Sequence, residues 1–307
     1  MAELDADDEA AQSLSELLAP DGKGTLVFPG DIRYILSEFP SGEEVTDAEW
    51  LMFEQETVAH AHRIYHDVGA DVAVTFTERC STPTLAKEDT GIRMEDACVR
   101  GVRLAFRSAS PFVVGALGPS CLDDASSEDE AVRAYEDEAR CLISKGVHGL
   151  LLASMPDLAH LRAAAKGAGY AAIARELGAY RPIIGSVVLD SGHNLADGAS
   201  VFDAVAEAGK LGLATLGIEG LDAVSACALS DRLSEAATEA GVSLLVRIAD
   251  TTERGARTDR SRLDSMHAVA MAVADLVRAG IRFVGPGKGA GPEMAGVMAD
   301  TFDQLDL

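Results

Sequence analysis

The chain has 307 residues, and its formal net charge is −24 because 50 acidic residues outnumber 26 basic ones. A uniformly acidic surface repels phosphates and anionic lipids, so we expect neither nucleic acid nor a membrane as a partner. No apolar run reaches the roughly 18 residues of a membrane-spanning helix. The opening residues, "MAELDADDEAAQ", also lack the basic and apolar regions of a signal peptide. The composition therefore predicts a soluble cytoplasmic protein.

The cysteines are widely spaced and form no CxxC pair; they are Cys80, Cys98, Cys121, Cys141 and Cys227. Structural zinc ribbons need closely spaced pairs, and disulfide frameworks are typical of small secreted domains. The spacing therefore argues against both. Cys80 and Cys121 differ from the others because each follows a predicted strand.

The first 20 residues are acidic and precede the first predicted strand. They include an amphipathic stretch around residues 8–18, which is typical either of a short helix in a mobile tail or of a plug at the bottom of a barrel. We predict an acidic N-terminal extension over residues 1–20 and a single domain over residues 21–307.

Eight short runs of β-type residues follow in chain order. Each run is almost continuously apolar rather than alternating, which is typical of strands buried on both faces of a parallel sheet. The predicted strands lie within residues 24–31, 70–78, 111–119, 149–156, 181–190, 213–220, 242–250 and 281–287.

Segments with helical periodicity separate these runs. They cover residues 44–69, 92–108, 127–145, 158–177, 199–210, 222–240, 262–279 and 292–304. The helix over residues 127–145 is a clear example, because Ser126 or Ser127 can cap it and acidic residues follow in its first turn. Eight strand–helix repeats without a domain break predict an α/β fold of the (β/α)8 TIM-barrel type. A doubly wound open sheet is the alternative.

In such a barrel the active site lies at the carboxyl ends of the strands, where this sequence concentrates charge. We predict three catalytic residues there, namely Glu78, Glu219 and Lys288. The residues predicted to bind substrate are Asp31, Thr77, Cys80, Cys121, Ser154 and Asp250. Arg33 and Arg247 also lie at strand ends. Asp250 alone is more typical of a cap for the following loop, and the concentration of charge at one rim is what favours a functional site.

Lys288 lies in the glycine-rich segment "GPGKGAG", directly after the last predicted strand. The segment lacks the Ser or Thr that follows the lysine of a Walker A loop, and its glycines are wrongly spaced for that motif. A phosphate site near the last two strands stays open, because glycine amides and a lysine could both face an anion. The other interpretation is a simple turn.

Four segments at or near predicted strand ends resemble those of a known protein family. They are "VGADVAVTFTERC" (68–80), "FVVGALGPS" (112–120), "LLLASMPDLAHLRAA" (150–164) and "GPEM" (291–294). Together they resemble the homocysteine S-methyltransferase family, which includes betaine–homocysteine enzymes and the N-terminal domain of cobalamin-dependent methionine synthase. The resemblance runs from about residue 24 to the end. It implies a (β/α)8 barrel and methyl transfer between a small-molecule donor and a small-molecule acceptor.

The resemblance also implies zinc, which the family binds through three cysteine thiolates in "GxNC" after strand six and "GGCCG" after strand eight. Zinc lowers the pKa of the substrate thiol, so that a thiolate attacks the methyl donor. Here "GIEG" (217–220) and "GPGKG" (285–289) stand in those places, so Gly220, Gly287 and Lys288 replace the ligands. We therefore expect no certain cofactor, and a lysine that restores a positive charge by pairing with Glu219 or Glu78 or by meeting an anionic ligand.

Three functions stay open. The first is methyl transfer without a zinc-activated thiol, in which Glu78, Glu219 and Asp250 orient a cationic methylated amine or sulfonium. Cys80 or Cys121 would then supply a replacement metal ligand or a nucleophile. The second is another zinc-free reaction, with the lysine after strand eight as an electrostatic or Schiff-base group. The third is a non-catalytic barrel that binds a ligand or a partner.

The similarity to methionine synthase also implies a corrinoid protein as a methyl donor. We recognise no cobalamin-binding segment in this sequence. Any corrinoid is therefore expected on a separate partner protein.

Overall fold

The computed structural model describes residues 6–39, 45–119, 127–174, 177–250 and 258–305. Eight parallel strands form one sheet in the order β1-β8-β7-β6-β5-β4-β3-β2. They are β1 (Leu26–Val27), β2 (Val72–Val74), β3 (Phe112–Leu117), β4 (Gly149–Met155), β5 (Ile183–Val188), β6 (Thr215–Asp222), β7 (Ser243–Ala249) and β8 (Phe283–Pro286). The strand order follows the chain and helices connect the strands, so the predicted (β/α)8 barrel is confirmed.

Helices surround this sheet. Those of the described residues are α1 (Ala6–Leu18), α2 (Ile32–Leu36), α3 (Asp47–Phe53), α4 (Gln55–Asp67), α5 (Thr82–Glu88), α6 (Met94–Phe106), α7 (Glu128–Ile143), α8 (Leu158–Ala172), α9 (Val201–Lys210), α10 (Ala223–Ala240), α11 (Asp259–Arg278) and α12 (Pro292–Gln304). Within this part of the chain, no helix combines the length and the apolar character needed to span a membrane.

The observed elements differ from the predicted ones in a few places. Within the segment 44–69, predicted as one helix, residues 47–67 form α3 and α4, which meet at Glu54, where a φ of −119° and a ψ of 43° interrupt the helical backbone. The short helices α2 and α5 follow β1 and β2 and were not predicted, because each is too short to show a helical period. Ser127, one of two predicted caps, accepts a hydrogen bond from the Glu130 N–H at the start of α7.

The barrel closes between β1 and β2 through two hydrogen bonds, one of them to a side chain, rather than through a strand ladder. The Val27 N–H donates to Asp71 Oδ2 at 2.7 Å, and the Asp71 N–H donates to the Val27 carbonyl at 2.9 Å. These two bonds satisfy backbone groups that an open edge would leave exposed. The carboxyl group therefore replaces part of a β-ladder at the seam.

Helix α1 covers the amino-terminal end of the barrel. Leu14 and Leu18 are fully buried and join the apolar cluster that includes the strand residue Phe283. Asp8 forms an ion pair with the buried Arg181, with 2.8 Å between Oδ1 and Nη1, which ties the helix to the start of β5. Residues 6–18 thus form the plug rather than a detached tail, and the division at residue 20 stays a prediction.

His62 of α4 should make the stability of the fold depend on pH. Its side chain is buried, and its Nε2 atom has no hydrogen-bond partner within the described residues. Burial lowers the pKa of His62 to about 3 from 6.5. The unfolded chain binds a proton below pH 6.5 that the folded chain does not. The free energy of unfolding should therefore fall by up to about 1.4 kcal/mol per pH unit from this residue as the pH drops from 6.5 toward 3.

Urea denaturation over this pH range, compared between the wild type and His62→Gln, measures the contribution. The substitution should flatten the pH dependence of the unfolding free energy, whatever it does to the stability at neutral pH. His60→Gln, on the exposed side of the same helix, is the matched control. Equal slopes in the wild type and His62→Gln would show that His62 is protonated in the folded state.

Candidate functional site

A cavity of about 550 Å³ opens at the carboxyl ends of the strands. Charged and hydroxyl side chains from the ends of several strands line it: Asp31, Arg33, Glu78, Ser154, Glu219, Arg247 and Lys288. Because all strands run parallel, their carboxyl ends meet at this face of the barrel. The cavity therefore contains all three residues predicted as catalytic and two of those predicted to bind substrate.

Glu219 on β6 is held by three neighbouring side chains. Ser186 Oγ donates to Glu219 Oε1 at 2.6 Å, and Arg247 Nη1 donates to the same oxygen at 3.3 Å. Ser154 Oγ lies 3.3 Å from both carboxyl oxygens. Donors from β4, β5 and β7 therefore fix the position of this carboxyl group at the base of the cavity.

Arg247 on β7 lies directly opposite Glu219 in the parallel ladder of β6 and β7. It is 9% exposed, and besides Glu219 it donates to the carbonyls of Pro286 at 3.3 Å and Pro29 at 3.2 Å. Burial lowers the pKa of Arg247, but Glu219, Glu78 and a further nearby acid raise it more, and the net pKa lies above its ordinary value. Arg247 is thus a permanent cation, and it links β7 to its neighbours β6 and β8 at the cavity.

Arg33 organises a second group of acids at the cavity. Its Nη1 atom lies 3.3 Å from Asp31 Oδ1 and 3.2 Å from Glu78 Oε2, while the other guanidinium nitrogens bind the buried carboxyl of Asp47. The guanidinium also lies over the ring of Phe76, 5.1 Å from its centroid. One arginine therefore positions three carboxyl groups, two of which line the cavity.

Glu78 is the acid of this group with the most unusual environment. Burial raises its pKa; Arg33 opposes the increase, whereas Asp31 and Glu219 add to it because like charges disfavour ionisation. A quarter of the side chain is nevertheless exposed. The result is a carboxyl group in the cavity that binds a proton more tightly than an ordinary glutamate.

Lys288 lies on the turn between β8 and α12, and its side chain is exposed at the cavity. Neither of its predicted partners binds it, because Arg247 pairs with Glu219 and Arg33 pairs with Glu78. Within the described residues, Lys288 forms no ion pair. Its ammonium group therefore adds an uncompensated charge to the cavity.

Three predicted binding residues, Thr77, Cys80 and Asp250, do not line the cavity. Thr77 is fully buried and donates to the Ala116 carbonyl at 2.7 Å, which ties β2 to β3. Cys80 is fully buried in the core, and burial raises the pKa of its thiol well above the usual value, so it is a poor metal ligand or nucleophile. Asp250 donates its backbone N–H to the Lys288 carbonyl at 3.0 Å. Cys121 lies outside the described residues.

Sequence reasoning missed Ser186 as a member of the site. It lies in the middle of the apolar run of β5, where a single serine gave no signal of function. Arg33 and Arg247 were recognised at strand ends but were not selected as site residues. The arginine within the otherwise apolar strand β7 was a usable signal, because a buried charge requires partners.

Two irregular strands aim side chains into the cavity. The β4 register shifts between Leu152 and Met155, and Ser154 there has a φ of +55°, which is strained for a residue with a side chain. The β6 register shifts after Glu219, where Gly220 has a φ of +103°. Bulges of this kind occur next to active sites because they redirect a side chain.

The residues at the expected zinc-ligand positions do not fit that metal. A Cβ atom on Gly220 would lie 2.5 Å from the Leu189 carbonyl oxygen, and one on Gly287 would lie 2.6 Å from the Arg247 carbonyl oxygen. The backbone is therefore too close at both positions for a cysteine. The third position supplies only an ammonium group, and the described residues contain no group of three His, Cys, Asp or Glu side chains placed to hold a metal.

Comparison with curated proteins identifies relatives of part of the chain. It is 27% identical over 168 residues to methionine synthase of Mycobacterium tuberculosis and, to the same extent, to methionine synthase of Mycobacterium leprae. Each match covers 51% of this chain and 14% of the relative. The chain thus corresponds to a small part of those longer proteins.

Comparison with solved structures supports the fold over nearly the whole chain. The metallated form of the homocysteine methyltransferase MmuM from Escherichia coli has a TM-score of 0.71 at 17% identity, covering 91% of this chain and 97% of that one. A methyltransferase from Methanosarcina mazei has a TM-score of 0.62 at 12% identity, covering 97% of this chain and 99% of that one. At these identities the likeness shows a shared barrel.

The family profile described as Homocysteine S-methyltransferase matches residues 27–301, from β1 into α12. This range includes the last residue of β1, all of β2 to β8 and all the residues that line the cavity. The chain therefore belongs to the homocysteine S-methyltransferase family.

Proposed function

We propose that this protein transfers a methyl group between two small molecules in the cavity at the barrel mouth, without a zinc-activated thiol. Membership of the family supports methyl transfer as the reaction. The observation that carries the proposal is the placement of Glu78 and Glu219 in one cavity, each positioned by an arginine. Because the zinc-ligand positions hold Gly220, Gly287 and Lys288, the chemistry must rest on these fixed charges.

The acidic wall favours a cationic methyl donor, such as a methylated amine or a sulfonium. Asp31 and Glu78 share Arg33 as their partner at the cavity, and two acids to one cation leave a negative potential there. Asp250, which we expected to contribute to this role, does not line the cavity. We therefore assign donor orientation to Glu78 with Asp31.

Glu78 also has the properties of a proton acceptor. During transfer the methyl carbon forms a bond with the acceptor atom as its bond to the donor breaks, and the donor loses its positive charge. An acceptor that begins protonated must also release a proton. The raised pKa of Glu78 makes it a stronger base than an ordinary glutamate, so it is suited to take that proton.

The proposal leaves the donor and acceptor to experiment. A separate corrinoid protein as donor stays a prediction, and so does the absence of a nucleic-acid partner. The direct test is incubation with sulfonium and quaternary ammonium compounds carrying a 13C-methyl group, together with thiol and non-thiol acceptors. Label found in an acceptor would support methyl transfer, and no transfer from any donor would favour a ligand-binding barrel.

Glu78→Gln should slow methyl transfer by about 100-fold, because it removes the proton acceptor while keeping the shape of the side chain. In the wild type the rate should rise with pH as Glu78 loses its proton, and the variant should lose this rise. Rates of 13C-methyl transfer between pH 5 and pH 9 measure both effects.

Glu56→Gln is the control, since Glu56 lies on the surface of α4, where Arg107 binds it. It should leave the rate and its pH profile unchanged. A Glu78→Gln protein with the wild-type rate would exclude Glu78 as the base.

Gly220→Ala should destabilise the fold by roughly 2 kcal/mol, because its Cβ would collide with the Leu189 carbonyl and its positive φ disfavours a side chain. Gly169→Ala in α8 is the matched control. No atom lies within 4 Å of a Cβ there, and alanine favours the helix by about 0.5–1 kcal/mol. Urea denaturation measures both. Equal stability of the two variants would mean that Gly220 tolerates a Cβ atom, and the steric argument against a cysteine there would fail.

A further inference from the structure

Within the described residues, the two arginines of the cavity at the barrel mouth have acidic partners, whereas the lysine has none. Arg33 is bound by Asp31, Glu78 and a third buried acid, and Arg247 is bound by Glu219 and two backbone carbonyls. Neither guanidinium is therefore free to bind a ligand as its main partner. Lys288 lines the same cavity, and within the described part of the chain it forms no ion pair.

The backbone around Lys288 is firmly placed although its side chain is exposed. The Lys288 carbonyl accepts a hydrogen bond from the Asp250 N–H at 3.0 Å, and the Gly287 N–H donates to the Ile248 carbonyl at 2.7 Å. Gly289 has a φ of +79°, and a Cβ on it would lie 2.4 Å from the Asp250 carbonyl oxygen. The turn is thus anchored to the end of β7, and it presents one ammonium group at a defined place in the cavity.

This ammonium cannot substitute for a metal ligand while it is protonated, because Lys has three donors and no lone pair in that form. Nor do the acids that line the cavity neutralise it, since the arginines already hold them. A cation that lines a cavity without a protein counter-ion is complementary to an anion supplied by the ligand. Both the poor fit with zinc and the ammonium charge of Lys288 therefore favour an anionic ligand at this position.

We infer that Lys288 binds an anionic group, a carboxylate or a phosphate, of the methyl donor or acceptor. This inference rests on the proposed function for the identity of the ligand as a substrate, but the binding site itself does not depend on catalysis. The acidic pair of Glu78 and Asp31 in the same cavity disfavours a second anionic group. The ligand class is therefore a small molecule with one anionic group that reaches the turn after β8.

The chain has six lysines, so protein labelled with 13Cε-lysine can give a separate NMR signal for each of them. The probes are sodium acetate and inorganic phosphate, each titrated at constant ionic strength with chloride as the balancing anion. The signal that disappears in Lys288→Gln identifies Lys288. Its shift should saturate at a concentration at least tenfold below that at which the other lysine signals respond.

Lys145→Gln is the matched control, because Lys145 is also exposed but lies at the end of α7, away from the cavity. It should leave the saturating shift of the Lys288 signal unchanged. Preferential saturation by acetate would support a carboxylate, and preferential saturation by phosphate would support a phosphate. Equal, unsaturated shifts of all lysine signals would overturn the inference.

The titration requires no methyl transfer, so the two proposals fail separately. Saturable binding at Lys288 in a protein that transfers no methyl group would leave an anion-binding barrel. Methyl transfer by a protein whose Lys288 signal does not respond would leave the reaction without this binding contact.

Discussion

The hydrogen bonds of the buried Arg247 guanidinium hold together both the barrel mouth and the candidate site. A buried cation is tolerated only with excellent hydrogen bonds and an opposite charge. Arg247 has both, because it binds Glu219 on β6, the carbonyl of Pro286 at the end of β8 and the carbonyl of Pro29, two residues after β1. One side chain therefore connects the strands on either side of the cavity. Removing the guanidinium would leave the two carbonyls without this donor and the Glu219 carboxyl group without its ion-pair partner.

The same principle explains why the acids of the cavity are paired with arginines rather than with Lys288. The planar fork of arginine can bind several oxygens at once, as Arg33 does with Asp31, Asp47 and Glu78. Arg247 in β7 and Arg33 in α2 both lie within reach of these acids, whereas Lys288 extends from the turn after β8. The arginines and the lysine therefore differ in their role, because only the arginines lie close enough to the acids to pair with them. Arginines hold the carboxyl groups in position, whereas the lysine forms no ion pair within the described residues.

The fold was predictable because its signal is local. Buried parallel strands are short apolar runs and the helices between them have a regular period, so the sequence predicted the eight strands and the barrel. The seam was not predictable, since Asp71 replaces a ladder through contacts that no local pattern encodes. Within the site, the rule that strand ends carry chemistry correctly selected Glu78, Glu219 and Lys288 as cavity residues. It could not separate them from Thr77 or Cys80, because a rotation of one residue near the end of β2 decides whether a side chain faces the cavity or the core.

The backbone at the barrel mouth positions the charged side chains of the cavity. It leaves no room for cysteine side chains at Gly220 and Gly287, so restoring those ligands would require the backbone to move. At Gly220 the bulge in β6 brings the chain against the Leu189 carbonyl, and the same bulge follows Glu219 and aims it at Arg247. At Gly287 the chain lies against the Arg247 carbonyl itself. A side chain at either glycine would displace the strands that position the ion pair. The absence of cysteines and the presence of the Glu219–Arg247 pair are therefore two aspects of one packing arrangement, in which close backbone contact excludes the thiols and holds the charges.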